Sequence, residues 1–405
     1  MKHIVSVSGG KDSTATYLRA LERGLPFRAV AADTGNEHPW TYEAIDNLSR
    51  LTGGPKVEMV KADFSRQILR KRAFIEAKWP ADLQAGKPGF WDWRPDPAGV
   101  RERQEAFRAW RLDKSLPKPK PVKPDVPPPL PEDVFSGRHR PINVEGGRWV
   151  WIQGYAPKTA EEAAEVVEVA LTWLTPTGNP YLDLCIWKGR FPSRRAQFCT
   201  EELKITPINA GVTGPLLQSG ETVISWQGVR AAESIERAHL PKLGEINHEY
   251  GPGRLLAFRP LLTWSIEDVF AIAERHGIPR NPLYAVGCSR VGCFPCINAT
   301  KAEIALVDRV FPEQIVRLEE WETRVSRCSK RGMTTFFNIV NDPVMAQMWE
   351  WSVVLGERLD LSHENHGIRE MIQWAKTDRG GRQFSLAFTP AALPSDTCTM
   401  HGACE

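Results

Sequence analysis

"SVSGGKDSTA", Ser6 to Ala15, is the stretch on which the fold turns. The apolar pair Ile4-Val5 leads into it, and Ser13–Arg23 follows with the spacing of a helix, small or apolar at Ala15, Leu18 and Leu21 and closed by Gly24. A short strand over Lys2–Val7, a tight Gly9-Gly10 turn and a helix N-terminus, in that order, make an anion site. The glycines let backbone N–H groups come close, and the helix dipole adds partial positive charge. Lys11 brings a full charge, and Ser8, Ser13 and Thr14 bring hydroxyls. The turn is not a Walker A loop, because Val5 stands where the first glycine belongs and Asp12 follows the lysine; nor is it Gly-x-Gly-x-x-Gly. The expected ligand is a pyrophosphate or sulfate group.

Working outward, "FRAVAADTG" (Phe27–Gly35) reads as a second strand ending in a polar turn, Asp33–Glu37. Tyr42–Leu51 reads as a helix and "KVEMVKAD" as a third strand. This alternation predicts an α/β fold, a doubly wound parallel sheet with right-handed crossovers and ligands at the carboxyl ends of its strands. "ETVISWQGVRAAES" supplies another strand and polar turn, and "TWSIEDVFAIAERHGI" a helix capped by Ser265 with Asp268 three residues on. Residues 1–74 are therefore assigned to the first part of the nucleotide-binding domain and 75–150 to an insertion. Residues 151–300 form its second part, resuming with a helix at Thr159–Leu171, and 301–405 a helical C-terminal region ending in a Cys-containing tail.

The net charge is only +3, but Lys61–Arg148 holds 19 Lys and Arg against 12 Asp and Glu, a local +7. That tract carries Trp79, Trp91, Trp93 and Trp110, and eight prolines lie within Pro117–Pro131, the mark of a polyproline-type arm. Basic residues interleaved with aromatics suit single-stranded DNA or RNA, through phosphate contacts and base stacking. A solvated, irregular insertion is the plainer reading, and proline-rich arms also bind partner proteins. No apolar run approaches the ~20 residues of a membrane span, and no signal peptide is visible, so a cytoplasmic location is expected. Disulfides are uncommon there, and the eight cysteines point instead to metal, cluster or redox chemistry. Cys293-x-x-Cys296 has metal-ligand spacing, with Cys288 five residues before it; zinc and an iron–sulfur cluster both remain open on spacing alone. Cys185 and Cys328 read as packing residues, and His363 and His366 as surface residues.

Ser8-Gly9-Gly10-Lys11-Asp12-Ser13 resembles the pyrophosphate loop of N-type ATP pyrophosphatases. These belong to the adenine nucleotide alpha-hydrolase-like superfamily, which includes the phosphoadenylyl sulfate (PAPS) reductase family. "AADTGNEHP", "FCTEELKITPI" (Phe198–Ile208), "GVRAAESIER" (Gly228–Arg237) and "NPLYAVGCSRVGCFPC" (Asn281–Cys296) are similar to further segments of that family, in the same order. The resemblance implies an enzyme that binds ATP or PAPS, with Ser8, Gly9, Gly10, Lys11, Asp12, Ser13, Thr14, Asp33, Lys204, Gly228, Arg230 and Glu233 around the nucleotide. It also implies a [4Fe–4S] cluster. Cys199 falls on the first cysteine of the family's pair and Thr200 on the second, so Cys288 is taken as the fourth ligand beside Cys199, Cys293 and Cys296, with zinc as the alternative. The Cys-Thr pairing also resembles DNA phosphorothioation sulfurtransferases.

Two enzyme readings follow. In one, the protein is an ATP pyrophosphatase that adenylates a nucleic acid for thiolation, helped by sulfur-donor or modification-system partner proteins. Lys11 then steadies the leaving pyrophosphate and Asp12 positions Mg2+. In the other, it is a sulfonucleotide reductase whose nucleophile sits in the tail "CTMHGACE", at Cys398 or Cys404. Cys398-x-x-His401-x-x-Cys404 is also a possible metal motif. A non-catalytic nucleotide-binding iron–sulfur sensor is a third reading.

Overall fold

The structure, a computed structural model, describes residues 1–95, 102, 105–106, 109–110, 115–117, 126–132, 134, 142–144, 146–152, 154–194, 196–330, 332–337 and 367–376. The tail with Cys398, His401 and Cys404, the pair His363 and His366, and much of Pro117–Pro131 lie outside the described residues. The chain forms two compact units. One comprises Met1–Arg70 and Trp173–Glu405, the other Lys71–Thr172.

The first unit is built on a mainly parallel sheet. Strands β1 (Lys2–Ser6), β2 (Phe27–Asp33), β3 (Val57–Lys61), β7 (Thr222–Trp226), β8 (Leu243–Ile246) and β9 (Arg254–Phe258) lie in the order β3-β2-β1-β7-β9-β8. All pairs are parallel except β8–β9, which closes one edge antiparallel. The chain winds outward from β1 to β3, then returns to start β7 on the other side of β1. The β1–β7 seam is therefore the point where strand order reverses, and the crevice at the carboxyl ends of those two strands is the natural ligand site of such a sheet. The doubly wound expectation holds; β8 and β9 were not foreseen.

Apolar residues on alternate faces of the strands bury two layers. On one face Val5, Ala29 and Ala31 pack with Ala15 and Leu18 of α1 (Lys11–Glu22), Ile45 and Leu48 of α2 (Pro39–Thr52), and Val269 and Ile272 of α6 (Ile266–Arg275). Helix α6 starts at the expected capping box, Ser265 accepting from the Asp268 N–H and Asp268 from the Ser265 N–H. On the other face Ile4, Val30, Val223 and Leu255 pack with Val212 and Leu217. The last two belong to a continuous helical run from Phe198 to Gln218 that twice widens into π-helix, at Glu201–Ile205 and Asn209–Thr213. Each widening is followed within two residues by a proline, Pro207 or Pro215. A proline inside an α-helix lacks the N–H of the ladder and clashes with the carbonyl four residues back; a wider turn relieves that clash.

The second unit contains most of α3 (Ser65–Ala85), the antiparallel sheet β4 (Phe90–Pro95), β6 (Gly147–Ile152) and β5 (Ile142–Val144) in the order β4-β6-β5, and α4 (Ala160–Trp173) up to Thr172. The helix expected to resume the nucleotide domain thus lies with this unit. The register pairs Trp91 with Trp151 and Trp93 with Trp149, so the four indoles share one face. Trp149 and Trp79 are each only 2% exposed, and Trp91 meets Trp151 edge-to-face at 5.1 Å. Trp79, expected among aromatics able to stack on bases, instead forms the core of this unit, and Trp91 and Trp93 are drawn against it by cross-strand pairing. A small unit with few aliphatic residues needs such rings to bury enough area.

Back in the first unit, helices α8 (Lys301–Val310), α9 (Pro312–Arg327) and α10 (Ile368–Ala375) pack together. Glu322 of α9 is buried and accepts the backbone N–H of Phe336 (2.7 Å) and of Ile368 (2.8 Å), tying two separate segments to one carboxylate. Burial, reinforced by Glu370 and Glu319 and opposed by the two N–H bonds, pushes its pKa from 4.5 to about 7. The native state thus holds the proton that the unfolded chain releases, and Glu322's contribution to stability falls as pH rises from about 4.5 to about 7. Glu322→Gln is expected to flatten that part of the profile, a difference on the order of 3 kcal/mol across the window, read as the difference between urea midpoints of the two proteins at pH 5 and pH 7.5.

Candidate functional site

The turn after β1 is held by its own hydroxyls. Ser13 Oγ donates to the Gly10 carbonyl (3.0 Å), accepts the Ser8 N–H (3.0 Å) and meets Ser8 Oγ at 3.1 Å. Gly9 has φ +75°, and a Cβ there would stand 2.7 Å from Thr41 Cγ2. Gly10 caps α1 without a side chain, and the Lys11 N–H donates to Tyr284 Oη at 3.0 Å. The glycine-rich turn is thus a preformed loop at a helix N-terminus, as the anion-site reading requires.

Asp12 lies beneath it, fully buried. Its Oδ2 accepts from Lys11 Nζ at 2.6 Å and its Oδ1 from Arg230 Nε at 2.5 Å. Arg230 stands in the turn after β7, where its backbone N–H donates to Glu233 at 2.9 Å. Glu233 is further paired with Arg237. Gly228, on the same turn, approaches α1 so closely that a Cβ would meet Thr16 Oγ1 at 2.9 Å and the Asp12 carbonyl at 3.0 Å. The structure therefore brings Lys11, Asp12, Gly228, Arg230 and Glu233 together across the β1–β7 seam. Each Asp12 carboxylate oxygen faces a cation at close range, so the buried group fastens the two turns together.

The turn after β2 is a second network. Asp33 Oδ1 accepts from the Gly35 N–H (3.0 Å) and from Tyr42 Oη (2.7 Å), so it shapes the turn. Glu37 was not foreseen as a site residue. It accepts from the Thr34 N–H (3.1 Å), Thr34 Oγ1 (2.6 Å) and Tyr42 Oη (3.1 Å), and its Oε1 lies 3.9 Å from Cys293 Sγ. Glu37 and Cys293 also form an antiparallel bridge, and the loop is locked by Arg317, which donates to Asn36 Oδ1 (2.8 Å) and the Phe294 carbonyl (2.6 Å).

Beyond Glu37 lies a cavity of about 70 Å³ lined by Cys199, Cys288, Cys293, Cys296, Lys204 and Thr34 among others. All four predicted ligand cysteines therefore face one space. Cys199, Cys293 and Cys296 act on one another electrostatically, whereas the charged neighbour of Cys288 is Glu303. Burial pushes the Cys293 thiol well up, against the opposing pull of Lys204; it raises Cys199 as well, and Cys288 to about 11. A nucleophilic cysteine needs a depressed pKa, so these three are poor nucleophiles and suit ligands, which ionise when a metal takes the electron pair. Among the described residues no three His, Cys, Asp or Glu side chains converge as one mononuclear metal ion requires.

Lys204 lines this cavity and also a neighbouring one bounded by Ser8, Ser13, Glu37, Tyr42 and Gly228. Burial works to lower its pKa, but Cys293, Glu37, Cys199 and Cys296 outweigh it and the ammonium is held charged. Cys199 and Lys204 are five residues apart. In an α-helix that spacing turns side chains well apart, but the π-helical turn Glu201–Ile205 brings them onto one side, facing the same cavity.

Residues 178–299 match the family model described as phosphoadenosine phosphosulfate reductase domain. The chain belongs to that family. Among its relatives, an uncharacterised 37.8 kDa protein of Escherichia phage 186 is 40% identical over 405 residues, covering 100% of this chain and 96% of that protein. The adenosine 5'-phosphosulfate reductase of Allochromatium vinosum is 34% identical over 110 residues, 27% of this chain and 37% of that enzyme. That of Rhizobium tropici is 38% identical over 85 residues, 20% of this chain and 43% of the enzyme. Against the crystal structure of phosphoadenylyl-sulfate reductase from Candida auris the TM-score is 0.30 at 11% identity, covering 73% of this chain and 83% of that one. So low a score adds nothing to the fold, which rests on the strand order above. Membership in the family implies an adenine nucleotide and sulfur chemistry.

Breaking the Asp12 bridge is the sharpest test of how the nucleotide side is held. Asp12→Asn takes the carboxylate from between Lys11 and Arg230. The expected loss is about 3–5 kcal/mol in stability, measured by urea denaturation, because one partner of a buried charge bridge is removed. A loss below 1 kcal/mol would show that the turns are joined by other means.

Proposed function

We propose that the protein is a sulfonucleotide enzyme that holds PAPS or adenylyl sulfate between the turns after β1, β2 and β7, with the sulfate end toward Lys204. The observation that carries this reading is Lys204 itself, a charged lysine on the wall of both the glycine-turn cavity and the thiol cavity. An anion bound at Ser8–Thr14 has its reacting end next to a cation that already balances Glu37 and three cysteines.

Cys199, Cys293 and Cys296, with Cys288 as fourth, would hold a [4Fe–4S] cluster. Four thiols on one cavity are a donor set that suits an iron–sulfur group, with zinc as the alternative. When bound, such a group would supply redox capacity beside the substrate. The nucleophile falls to the tail. A thiolate at Cys398 or Cys404 attacks the sulfate sulfur, a sulfur–sulfur bond forms, the sulfur–oxygen bond to the nucleotide breaks, and the nucleotide leaves with the electron pair. An external thiol then displaces sulfite and leaves a disulfide, which balances the two electrons.

A second reading, the ATP pyrophosphatase, is favoured by one observation: the loop keeps both Lys11 and Asp12. A nucleic-acid acceptor loses Trp79 as a stacking ring, since Trp79 is core, whereas Trp91, Trp93 and Trp110 are half-buried.

The test is sulfite release from PAPS and from adenylyl sulfate with a dithiol donor, beside pyrophosphate release from ATP and Mg2+. Sulfite release that disappears in Cys398→Ser or Cys404→Ser supports the proposal. Pyrophosphate release without sulfite moves the assignment to the second reading. Lys11→Ala and Lys204→Met are each expected to lower turnover about 100-fold, the scale of one lost electrostatic contact to developing charge. Lys11→Ala should leave the visible absorption of the iron protein unchanged.

A further inference from the structure

Arg259 follows β9 at the carboxyl end of the sheet and is 8% exposed. Its Nη1 donates to the Pro241 carbonyl at 2.8 Å, in the loop that leads into β8. Its Nε is buried without a partner, and among the described residues no carboxylate pairs with the guanidinium. Burial lowers its pKa, with no neighbouring charge to offset the cost. A buried charge is expensive unless it is paired, and one carbonyl engages one of five donors. The other buried arginines at this end of the sheet are paired, Arg230 with Asp12 and Arg237 with Glu233.

The sheet register says what lies beside Arg259. Val5 pairs with Trp226 and Trp226 with Phe258, so Ser6, Gln227 and Arg259 come next at one level on three adjacent strands. Main-chain bonds keep the last two in line, the Gln227 N–H donating to the Phe258 carbonyl (2.9 Å) and the Arg259 N–H to the Lys242 carbonyl (2.8 Å). Alternation along the strands puts all three on the face of Ile4, Val223 and Leu255. Ser6 lines the glycine-turn cavity. Gln227, between Ser6 and Arg259, is 6% exposed, and its Oε1 is also buried without a partner. Two unmatched polar side chains thus continue the row from that cavity toward β8, at a strand spacing of about 4.8 Å.

We propose that Arg259, with Gln227 beside it, is a subsite for a second phosphate group of the bound nucleotide, apart from the group held by the Ser8–Thr14 turn. The inference rests on the nucleotide reading above and adds to it what tells one nucleotide from another. A guanidinium fork offers a phosphate two parallel N–H bonds, and the Gln227 amide can turn its N–H donors to the same anion. Adenylyl sulfate has one phosphate, whereas PAPS has another on the ribose and ATP has others in its chain. The subsite therefore favours PAPS or ATP over adenylyl sulfate.

The experiment measures affinity on the full chain by isothermal titration calorimetry and needs no turnover. The probes are adenosine 5'-monophosphate, adenosine 3',5'-bisphosphate and ATP. The unaltered protein is expected to bind the bisphosphate, ATP or both more tightly than the monophosphate. Arg259→Met is expected to weaken that tighter binding about 10- to 100-fold while the monophosphate binds as before. A loss confined to the bisphosphate puts the second phosphate on the ribose, and one confined to ATP puts it in the chain; either supports the subsite. Arg259→Lys keeps the charge without the fork and is expected to fall between, which gives the same reading should Arg259→Met fail to fold. A lower melting temperature with every affinity unchanged would show that Arg259 merely braces the loop at Pro241. That result, or an equal loss for all three probes, overturns the proposal and leaves the nucleotide reading intact. Binding of none of the probes by the unaltered protein overturns both.

Discussion

One buried carboxylate holds the nucleotide side together. Asp12 is fully excluded from solvent, and it sits between two cations carried on different turns, Lys11 after β1 and Arg230 after β7. Those turns flank the seam where the sheet reverses its order, so the charge bridge fixes the width of the crevice. Glycine at position 228 is required by the same closeness, because any side chain would meet the α1 backbone. The cost of burying three charges is met only if all are present, which makes this part of the molecule rigid and intolerant of change.

On the other side of Lys204 the logic is reversed. There the carboxylate, Glu37, and the thiols outnumber the cation that serves them. Burial pushes the Cys199, Cys288 and Cys293 thiols up. Lys204 lines both the thiol cavity and the glycine-turn cavity. Elsewhere in this unit Tyr181 stacks on Trp321 and packs against Phe336.

The strand–helix–strand start and its polar turns were legible because apolar runs, a Gly-Gly turn and a cap leave local marks. That Cys199, Cys288, Cys293 and Cys296 lie near one another was suggested by spacing and family resemblance, and the four do line one cavity. What escaped depends on partners far away in sequence. Glu37 reads as a polar turn residue until Cys293, 256 positions later, is brought beside it. The Trp residues of Lys61–Arg148 read as exposed until the register of β4 on β6 pairs two of them with Trp149 and Trp151. Asp12 reads as a loop residue beside Lys11 until Arg230, 218 residues on, is brought against it. Strands β8 and β9 are short and gave no distinct pattern.

A π-helical turn holds a single residue more than an α-helical one, and one residue is worth about 100° around the axis. The widened turn Glu201–Ile205 is what lets Cys199 and Lys204 share a side. Shortening it by one residue would turn the two apart while the strands stayed where they are.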